Sequence, residues 1–348
     1  MTLKETTSTV VVAALLVGSS LATAQTASKT TTTTTTATAT TSGSGSSTRN
    51  PGIAAGVNLP TGVPIYALTS DNAIYVLRPG QGQYTRLGRV NTPDGGNLIG
   101  IDFRPADNTP TKLYGLTDLG TIYNIDVSTQ RFGQIQKISV MNPRFTGGFE
   151  NVFDFNPVVN AIRVSGSNDQ NLAVVNGADG SNLSTVAVQT KFAYAQGDVN
   201  FGKDPEISGA AYTNNVAGAT STLYYAVDHD LDTLVTIADK TATGSSNTGG
   251  GQLKTIGSFY DEDGNKLNMS PTTDWDIYTD RSGINYLVGQ TTRLLFSIDL
   301  AQINPNLPLG KTQKIIVKRG PPASLLGSGN GLPLTGGVFD IAMPPLQQ

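Results

Sequence analysis

One short phrase recurs along most of the chain and constrains its fold more than any other feature. It occurs as "GIDFRP" at 100–105, "VFDFNP" at 152–157, "DWDIY" at 274–278 and "VFDIAMP" at 338–344. Each copy is rich in β-branched and aromatic residues, and turn-forming residues lie beside most copies, as is typical of a β-strand. A strand that returns at intervals predicts a repeat architecture rather than a single continuous sheet.

The copies belong to larger units of four short phrases. One complete unit contains "LIGIDFRP", "KLYGLTD", "GTIYNID" and "FGQIQKI" between residues 98 and 138. The second phrase of each of five units is marked by one position, spaced by 48, 49, 61 and 62 residues: Tyr66, Tyr114, Arg163, Tyr224 and Tyr286. Four strands per unit at this period predict an all-β protein, a β-propeller of five four-stranded blades. Six blades are the alternative, because the two long repeats have room for a degenerate unit.

The position of the last copy predicts how the propeller closes. The first unit begins at Pro64 without its own copy of the recurrent phrase, and a copy without a unit ends the chain at 338–344. A C-terminal strand that completes the first blade would close the ring and cover a sheet edge that otherwise invites aggregation. We therefore expect a single propeller domain over residues 61–348.

The N-terminal region has the pattern of an exported protein. Lys4, the apolar run 10–17 and the small residues Ala22-Thr23-Ala24 predict a secretory signal peptide over residues 1–24. Residues 25–60 are rich in Thr, Ser, Ala and Gly, which predicts a disordered linker. We expect a secreted or cell-surface protein with no transmembrane segment after signal removal.

Charge and cysteine content exclude several classes of site. The formal net charge is −3, and Lys and Arg are scattered, so the chain lacks the basic patch of a nucleic-acid binder. The chain has no cysteine, which excludes disulfides, thiolate metal sites and a cysteine nucleophile. We expect a monomer without nucleic-acid partners.

Several stretches together resemble a known family. They are "LIGIDFRP…KLYGLTDLGTIYNID", "FDFNPVVNAIRV", the block "GAAYTNN…GATSTLY" at 209–224, which is the most specific, and the closing "VFDIA". They resemble the domain of unknown function 4394 (DUF4394) family of secreted proteins over residues 63–343. The resemblance implies a propeller-like all-β exported domain, and it implies no activity and no catalytic residues.

The recurrent phrase carries the main candidate site. Four copies contain an aspartate, while the fourth unit has Ala211 in its place: Asp102, Asp154, Asp276 and Asp340. If this strand lines the central channel, the carboxylates converge and offer oxygen ligands to Ca²⁺. Alternatively, each aspartate accepts backbone hydrogen bonds and fastens one blade to the next. Repetition alone produces one aspartate per blade, so fastening is the simpler interpretation, and otherwise we expect no cofactor.

Other candidates for chemistry are weaker. The acidic loops 228–232 and 261–265 do not match the EF-hand loop, and acidic residues at hairpin tips commonly form turns. A Ser/His/Asp triad would have to use His229, the single histidine. A glycosidase needs two carboxylates, and Glu150, Glu206 and Glu262 are available together with many aspartates.

These observations favour a non-catalytic extracellular binding module whose partner is a glycan or a protein. A carbohydrate-active hydrolase or lyase is one alternative, and a structural surface protein is another.

Overall fold

A computed structural model describes residues 63–78, 84–148, 150–179, 181–238, 250–291, 294–319 and 337–346. The predicted signal peptide and linker lie outside the described residues, as does most of the insertion at 240–251. Strands are numbered in chain order. The described residues also contain two short 3₁₀ helices, Pro105–Asp107 and Leu300–Gln302.

The strands form five sheets, each built mainly from antiparallel strand pairs, which we call blades 1 to 5. The strands of each blade are given in order from the propeller axis outward. Blade 1 contains β22 (Val338–Ala342), β1 (Ile65–Thr69), β2 (Ala73–Leu77) and β3 (Thr85–Arg89). Blade 2 contains β4 (Leu98–Phe103), β5 (Lys112–Thr117), β6 (Thr121–Asp126) and β7 (Ile135–Val140). Blade 3 contains β8 (Asn151–Asn156), β9 (Ala161–Gly166), β10 (Asn171–Val175) and β11 (Thr185–Val188).

Blades 4 and 5 follow the same order with additions at the outer edge. Blade 4 contains β13 (Ile207–Tyr212), β14 (Tyr224–Asp228), β15 (Thr233–Ile237) and β16 (Gln252–Tyr260). Two short strands extend its outer edge in parallel with β16: β12 (Ala193–Tyr194) and β20 (Gln313–Ile316). Blade 5 contains β17 (Asp274–Thr279), β18 (Asn285–Gln290), β19 (Leu295–Asp299) and β21 (Lys318–Arg319).

The five inner strands close a ring; the recurrent phrase supplies four of them, and "ISGAAY" of β13 takes its place in blade 4. Strand β4 contacts β8, β8 contacts β13, β13 contacts β17, β17 contacts β22, and β22 contacts β4. Strand β22 pairs with β1, with Ala67 opposite Ile341 and Tyr66 opposite Ala342. The prediction that the C-terminal strand completes the first blade is therefore confirmed, as is the five-bladed all-β fold. The six-blade alternative is wrong, since all the described strands, those of the long repeats included, belong to five sheets.

The core lies between neighbouring blades rather than at one centre. Between blades 4 and 5, Tyr225 and Val227 pack in one cluster with Trp275 and Ile277. Between blades 5 and 1, a second cluster joins Tyr278 and Val288 to Ile65 and Ile341. Strands covered on both faces show runs of buried residues, as β4 does along its whole length, and the apolar phrases of the sequence reflect this packing.

One strand lies on a different blade from its neighbours in sequence. The stretch "TQKIIVK" at 312–318 follows the third strand of blade 5, but residues 313–316 pair with β16 of blade 4. Lys318 and Arg319, just after this stretch begins to leave blade 4, pair with β19 of blade 5. Because β16 is long, its outer edge has room for β12 at one end and β20 at the other, and the two strands cover an edge that would otherwise be open.

Candidate functional site

The inner strands bring the predicted aspartates together around the axis. Carboxylate oxygens of Asp102, Asp154 and Asp276 all lie within 4.8 Å of one another, and all three side chains are buried. Asp340 is partly buried and lines the same axial cavity as Asp102 and Asp154. Ala211, at the equivalent position of blade 4, offers no ligand.

Each of the four carboxylates accepts a hydrogen bond from the backbone of the next blade. The pairs are Asp102 with Phe155 N at 2.7 Å, Asp154 with Tyr212 N at 3.0 Å, Asp276 with Met343 N at 2.6 Å and Asp340 with Ile101 N at 2.6 Å. Hydrogen bonds from backbone N–H groups to carboxylates are charge-assisted and stronger than neutral ones. The aspartates therefore make contacts that fasten blade to blade, while each oxygen keeps a further lone pair.

The boundary between blades 4 and 5 uses different groups because Ala211 has no carboxylate. Here Asn215 N donates to Thr279 Oγ1 at 2.8 Å, and Asn214 N donates to the Asn285 side-chain oxygen at 2.7 Å. These contacts lie at the end of the inner strand rather than at its middle. The boundary is therefore fastened at the ends of the two inner strands.

A fifth carboxylate, Asp274, joins the axial cluster and was missed by the sequence analysis. Asp274 is two residues from Asp276 on β17, and side chains two apart on a strand point to the same face. It is 5% exposed, and its Oδ2 has no hydrogen-bond partner among the described residues. The signal was present in the sequence as the D-x-D pattern of "DWDIY", but only one of its two aspartates fits the repeat.

Burial raises the pKa of every carboxyl in the cluster. Burial raises the pKa of Asp276 to about 7. Burial, and then the negative charges of neighbouring aspartates, raise the pKa of Asp102 and of Asp154 well above the usual range. Burial has the same effect on the pKa of Asp274 and, together with the charge of Asp274, on the pKa of Asp340. The cluster therefore resists carrying several negative charges at once.

The cavity at the axis is small. Its volume is about 10 Å³, and Asp102, Asp154, Asp274 and Asp340 are among its lining residues. This is about the space that one water molecule needs. The cavity can hold a water or a single ion, and a sugar ring is far too large for it.

A larger opening lies at the surface between blades 4 and 5. We call it the blade 4–5 groove; its walls are the loop 213–223 after β13, the turn 280–285 after β17 and the segment 300–306 after β19. The inner part has a volume of about 460 Å³ and the adjoining outer part about 720 Å³. The inner part contains no charged side chain and combines the polar groups of Asn214, Ser221 and Asn306 with apolar surface. Asp280 and Arg281 line only the outer part.

Hydrogen bonds hold the walls of this groove in place. The Asn285 side-chain amide donates to the Asn214 side-chain oxygen at 3.0 Å, and the Asn214 amide donates to the Ser221 carbonyl at 2.8 Å. The loop is thus tied both to itself and to the opposite blade. A groove held in this way is pre-formed, which reduces the entropic cost of binding.

The acidic loops use their carboxylates to shape turns. Asp228 is fully buried and accepts hydrogen bonds from the Tyr194 hydroxyl at 2.6 Å and from the backbone of Leu231 at 2.9 Å. Asp261 accepts from the backbone and side chain of Asn265. His229 Nδ1 has no hydrogen-bond partner among the described residues, so the orienting bond of a catalytic triad is not formed there.

The glutamates considered for a glycosidase are dispersed over several elements. Glu150 immediately precedes β8, Glu206 precedes β13, and Glu262 lies in the turn after β16. Burial and the charge of Asp204 raise the pKa of Glu206, and Glu150 is a smaller contributor.

A family model described as "Domain of unknown function (DUF4394)" matches residues 88–306, which is more than half of the chain. The chain belongs to the DUF4394 family. The matched region spans blades 2 to 4 and most of blade 5, and includes the loop 213–223 of the blade 4–5 groove. No curated protein matches this DUF4394 chain.

Solved structures show only distant likeness to this DUF4394 chain. A structure of ctPRC2 is 10% identical with a TM-score of 0.39, and the match covers 69% of this chain and 55% of that chain. A structure of U3-55K is 11% identical with a TM-score of 0.31, and the match covers 65% of this chain and 56% of that chain. The chain thus spans little more than half the length of either. With TM-scores this low, neither structure indicates a role for this chain. Within the described residues, no helix has the length and apolar character needed to cross a membrane.

Proposed function

We propose that this DUF4394 protein is an extracellular or cell-surface binding module, without catalytic activity, whose blade 4–5 groove binds a neutral carbohydrate. The proposal rests on the groove, because the volume of its inner part, about 460 Å³, suits a small ligand. Protein partners usually bind to larger and flatter surfaces, which favours a glycan over a protein here. Export is supported by the signal pattern of residues 1–24.

The chemistry of the lining supports a neutral, hydroxyl-rich ligand. The polar side chains of Asn214, Ser221 and Asn306 line the inner groove together with apolar side chains. Such a combination hydrogen-bonds hydroxyl groups and covers the apolar faces of a sugar ring. A charged ligand would leave its charge without an opposite partner in the inner groove, at a cost in desolvation.

The axial carboxylates do not favour the hydrolase alternative. A glycosidase needs a close carboxylate pair, one of them with a raised pKa, and the axial cluster has both properties. However, its cavity of about 10 Å³ has no room for a sugar ring. A purely structural surface protein is a third hypothesis, and a pre-formed groove is not needed for that role.

An array of immobilised neutral oligosaccharides, probed with the purified full chain, tests the proposal. We expect micromolar retention of at least one oligosaccharide. Ala301 is exposed and lines the inner groove, so Ala301→Trp should fill the space and weaken retention at least tenfold. Gln136→Trp, on the exposed strand β7 of blade 2, is the matched control and should bind normally.

Three results would overturn the proposal. The first is the absence of retention at about millimolar concentration. The second is equal retention by both tryptophan variants while their melting temperatures match that of the wild type. The third is the release of new reducing ends from the same oligosaccharides, which would show catalysis.

A further inference from the structure

We propose that one Ca²⁺ ion binds at the axial carboxylates, held by oxygens of Asp102, Asp154 and Asp276, and that the free oxygen of Asp274, which lines the small axial cavity together with Asp102 and Asp154, completes the site. The site lies on the propeller axis, away from the blade 4–5 groove, and the inference does not depend on the proposed function. It assigns a role to Asp274, a residue outside the repeat. The expected role is structural, since no substrate fits in the cavity.

The separation of the carboxylates suits a shared ion. Ca²⁺ binds oxygen ligands at about 2.3–2.6 Å, so two ligands of one ion lie within about 5 Å of each other. The oxygens of Asp102, Asp154 and Asp276 meet this condition, lying within 4.8 Å of one another. They come from blades 2, 3 and 5, so a single ion would join three of the five inner strands.

Asp274 provides a second, independent observation. Only 5% of this residue is exposed, and it lines the cavity. Its Oδ2 has no hydrogen-bond partner among the described residues. A buried polar atom without a partner is costly, and native proteins usually satisfy such atoms with a protein group, a water or an ion. An ion in the cavity would satisfy this oxygen directly.

The charges around the cavity favour a cation. The ion pairs found between described residues join Arg86 to Asp71, Lys112 to Asp107, Arg131 to Asp126 and Lys266 to Asp232, and none includes an axial carboxylate. Buried charges in proteins are normally paired or coordinate a metal. The cavity of about 10 Å³ limits the occupant to one small ion.

The ligand set favours Ca²⁺ over other metals. The ligands are all carboxylate oxygens, which suit hard cations, whereas zinc sites usually include nitrogen or sulfur ligands. Three of the four aspartates are already held by backbone N–H groups at fixed positions. Such ligands cannot rearrange into the near-ideal octahedron that Mg²⁺ demands, whereas Ca²⁺ accepts irregular geometry.

Calorimetric titration of Ca²⁺ into the chelator-treated full chain tests the site, with a melting curve measured in parallel. We expect saturable binding of one ion per chain and a higher melting temperature in Ca²⁺ than in chelator. Asp274→Asn should weaken the affinity at least tenfold without disturbing a blade-to-blade hydrogen bond, because Asp274 makes none among the described residues. Asp261→Asn, in an exposed turn, is the matched control and should bind as the wild type does.

Tb³⁺ gives an independent readout because Trp275 is the only tryptophan and lines the cavity. Excitation of Trp275 should sensitise the emission of bound Tb³⁺, and added Ca²⁺ should remove that emission. The proposal is overturned if millimolar Ca²⁺ gives neither saturable heat nor a change in melting temperature. It is equally overturned if Asp274→Asn binds normally, if Asp261→Asn is the variant that loses binding, or if Mg²⁺ binds more tightly than Ca²⁺.

Discussion

Ending the chain at Gly336 removes strand β22, and we expect the shortened protein to lose its cooperative fold. Val338, Ile341 and Met343 are each at most 3% exposed. Full burial of side chains of this size stabilises by about 1.5–3 kcal/mol each, so the loss of all three amounts to about 4.5–9 kcal/mol. The net stability of a domain is about 5–15 kcal/mol, so this loss is comparable with the whole. The removal also exposes the edge of β1 to pairing with other chains.

Urea denaturation followed by circular dichroism measures this effect. Because full truncation can abolish folding, Ile341→Ala is the quantitative variant, and we expect a loss of about 2–5 kcal/mol. Val188→Ala is the control, since Val188 is 70% exposed and its truncation should change stability by less than about 0.5 kcal/mol. A shortened chain with the wild-type midpoint, or an Ile341→Ala variant no weaker than Val188→Ala, would refute the closure of the ring by β22.

Three further predictions concern other parts of the fold. A Cβ at Gly257 would overlap the Gln313 carbonyl oxygen, so Gly257→Ala should displace β20 and speed amide exchange at Ile315; unchanged exchange would contradict the close contact. Trp275→Ala should cost about 3–5 kcal/mol in urea denaturation, because the ring is buried and packed; a loss below about 1 kcal/mol would count against that packing. Burial raises the pKa of Asp228, so the folded state holds its proton to higher pH than the unfolded state. The stability from this group is present below the unfolded pKa of about 4 and is lost as pH rises through the folded pKa. Urea denaturation at a series of pH values should therefore show that the free energy of unfolding of Asp228→Asn depends less steeply on pH than that of the wild type. Equal slopes for the two proteins would contradict this.

The repeated phrase was enough to predict the inner strands and the closure of the ring, because a strand between turns is specified by its own residues. The blade that receives a strand is not always specified in this way. The phrase around Gln313 has the composition of a strand, but its pairing with β16 depends on the length of β16 and on Gly257, which allows the close approach. These are contacts between distant segments, and local sequence carries no signal for them.

The candidate sites follow the same division. Asp102, Asp154, Asp276 and Asp340 could be predicted as a converging set because they repeat, whereas Asp274 was missed because it breaks the repeat. The blade 4–5 groove could not be predicted, since its walls are a loop, a turn and the segment 300–306, none of which is periodic in sequence. Its shape depends on contacts between these distant segments, such as the hydrogen bond from the Asn285 amide to Asn214.

Hydrogen–deuterium exchange tests most directly whether a neutral carbohydrate binds in the blade 4–5 groove. The measurement compares the full chain alone with the chain saturated by the neutral oligosaccharide that the array retains most tightly. We expect slower exchange in residues 213–223, 280–285 and 300–306, which line the groove, and unchanged exchange in the exposed strand β7. Protection confined to other segments, or the absence of protection at saturating oligosaccharide, would contradict binding in this groove.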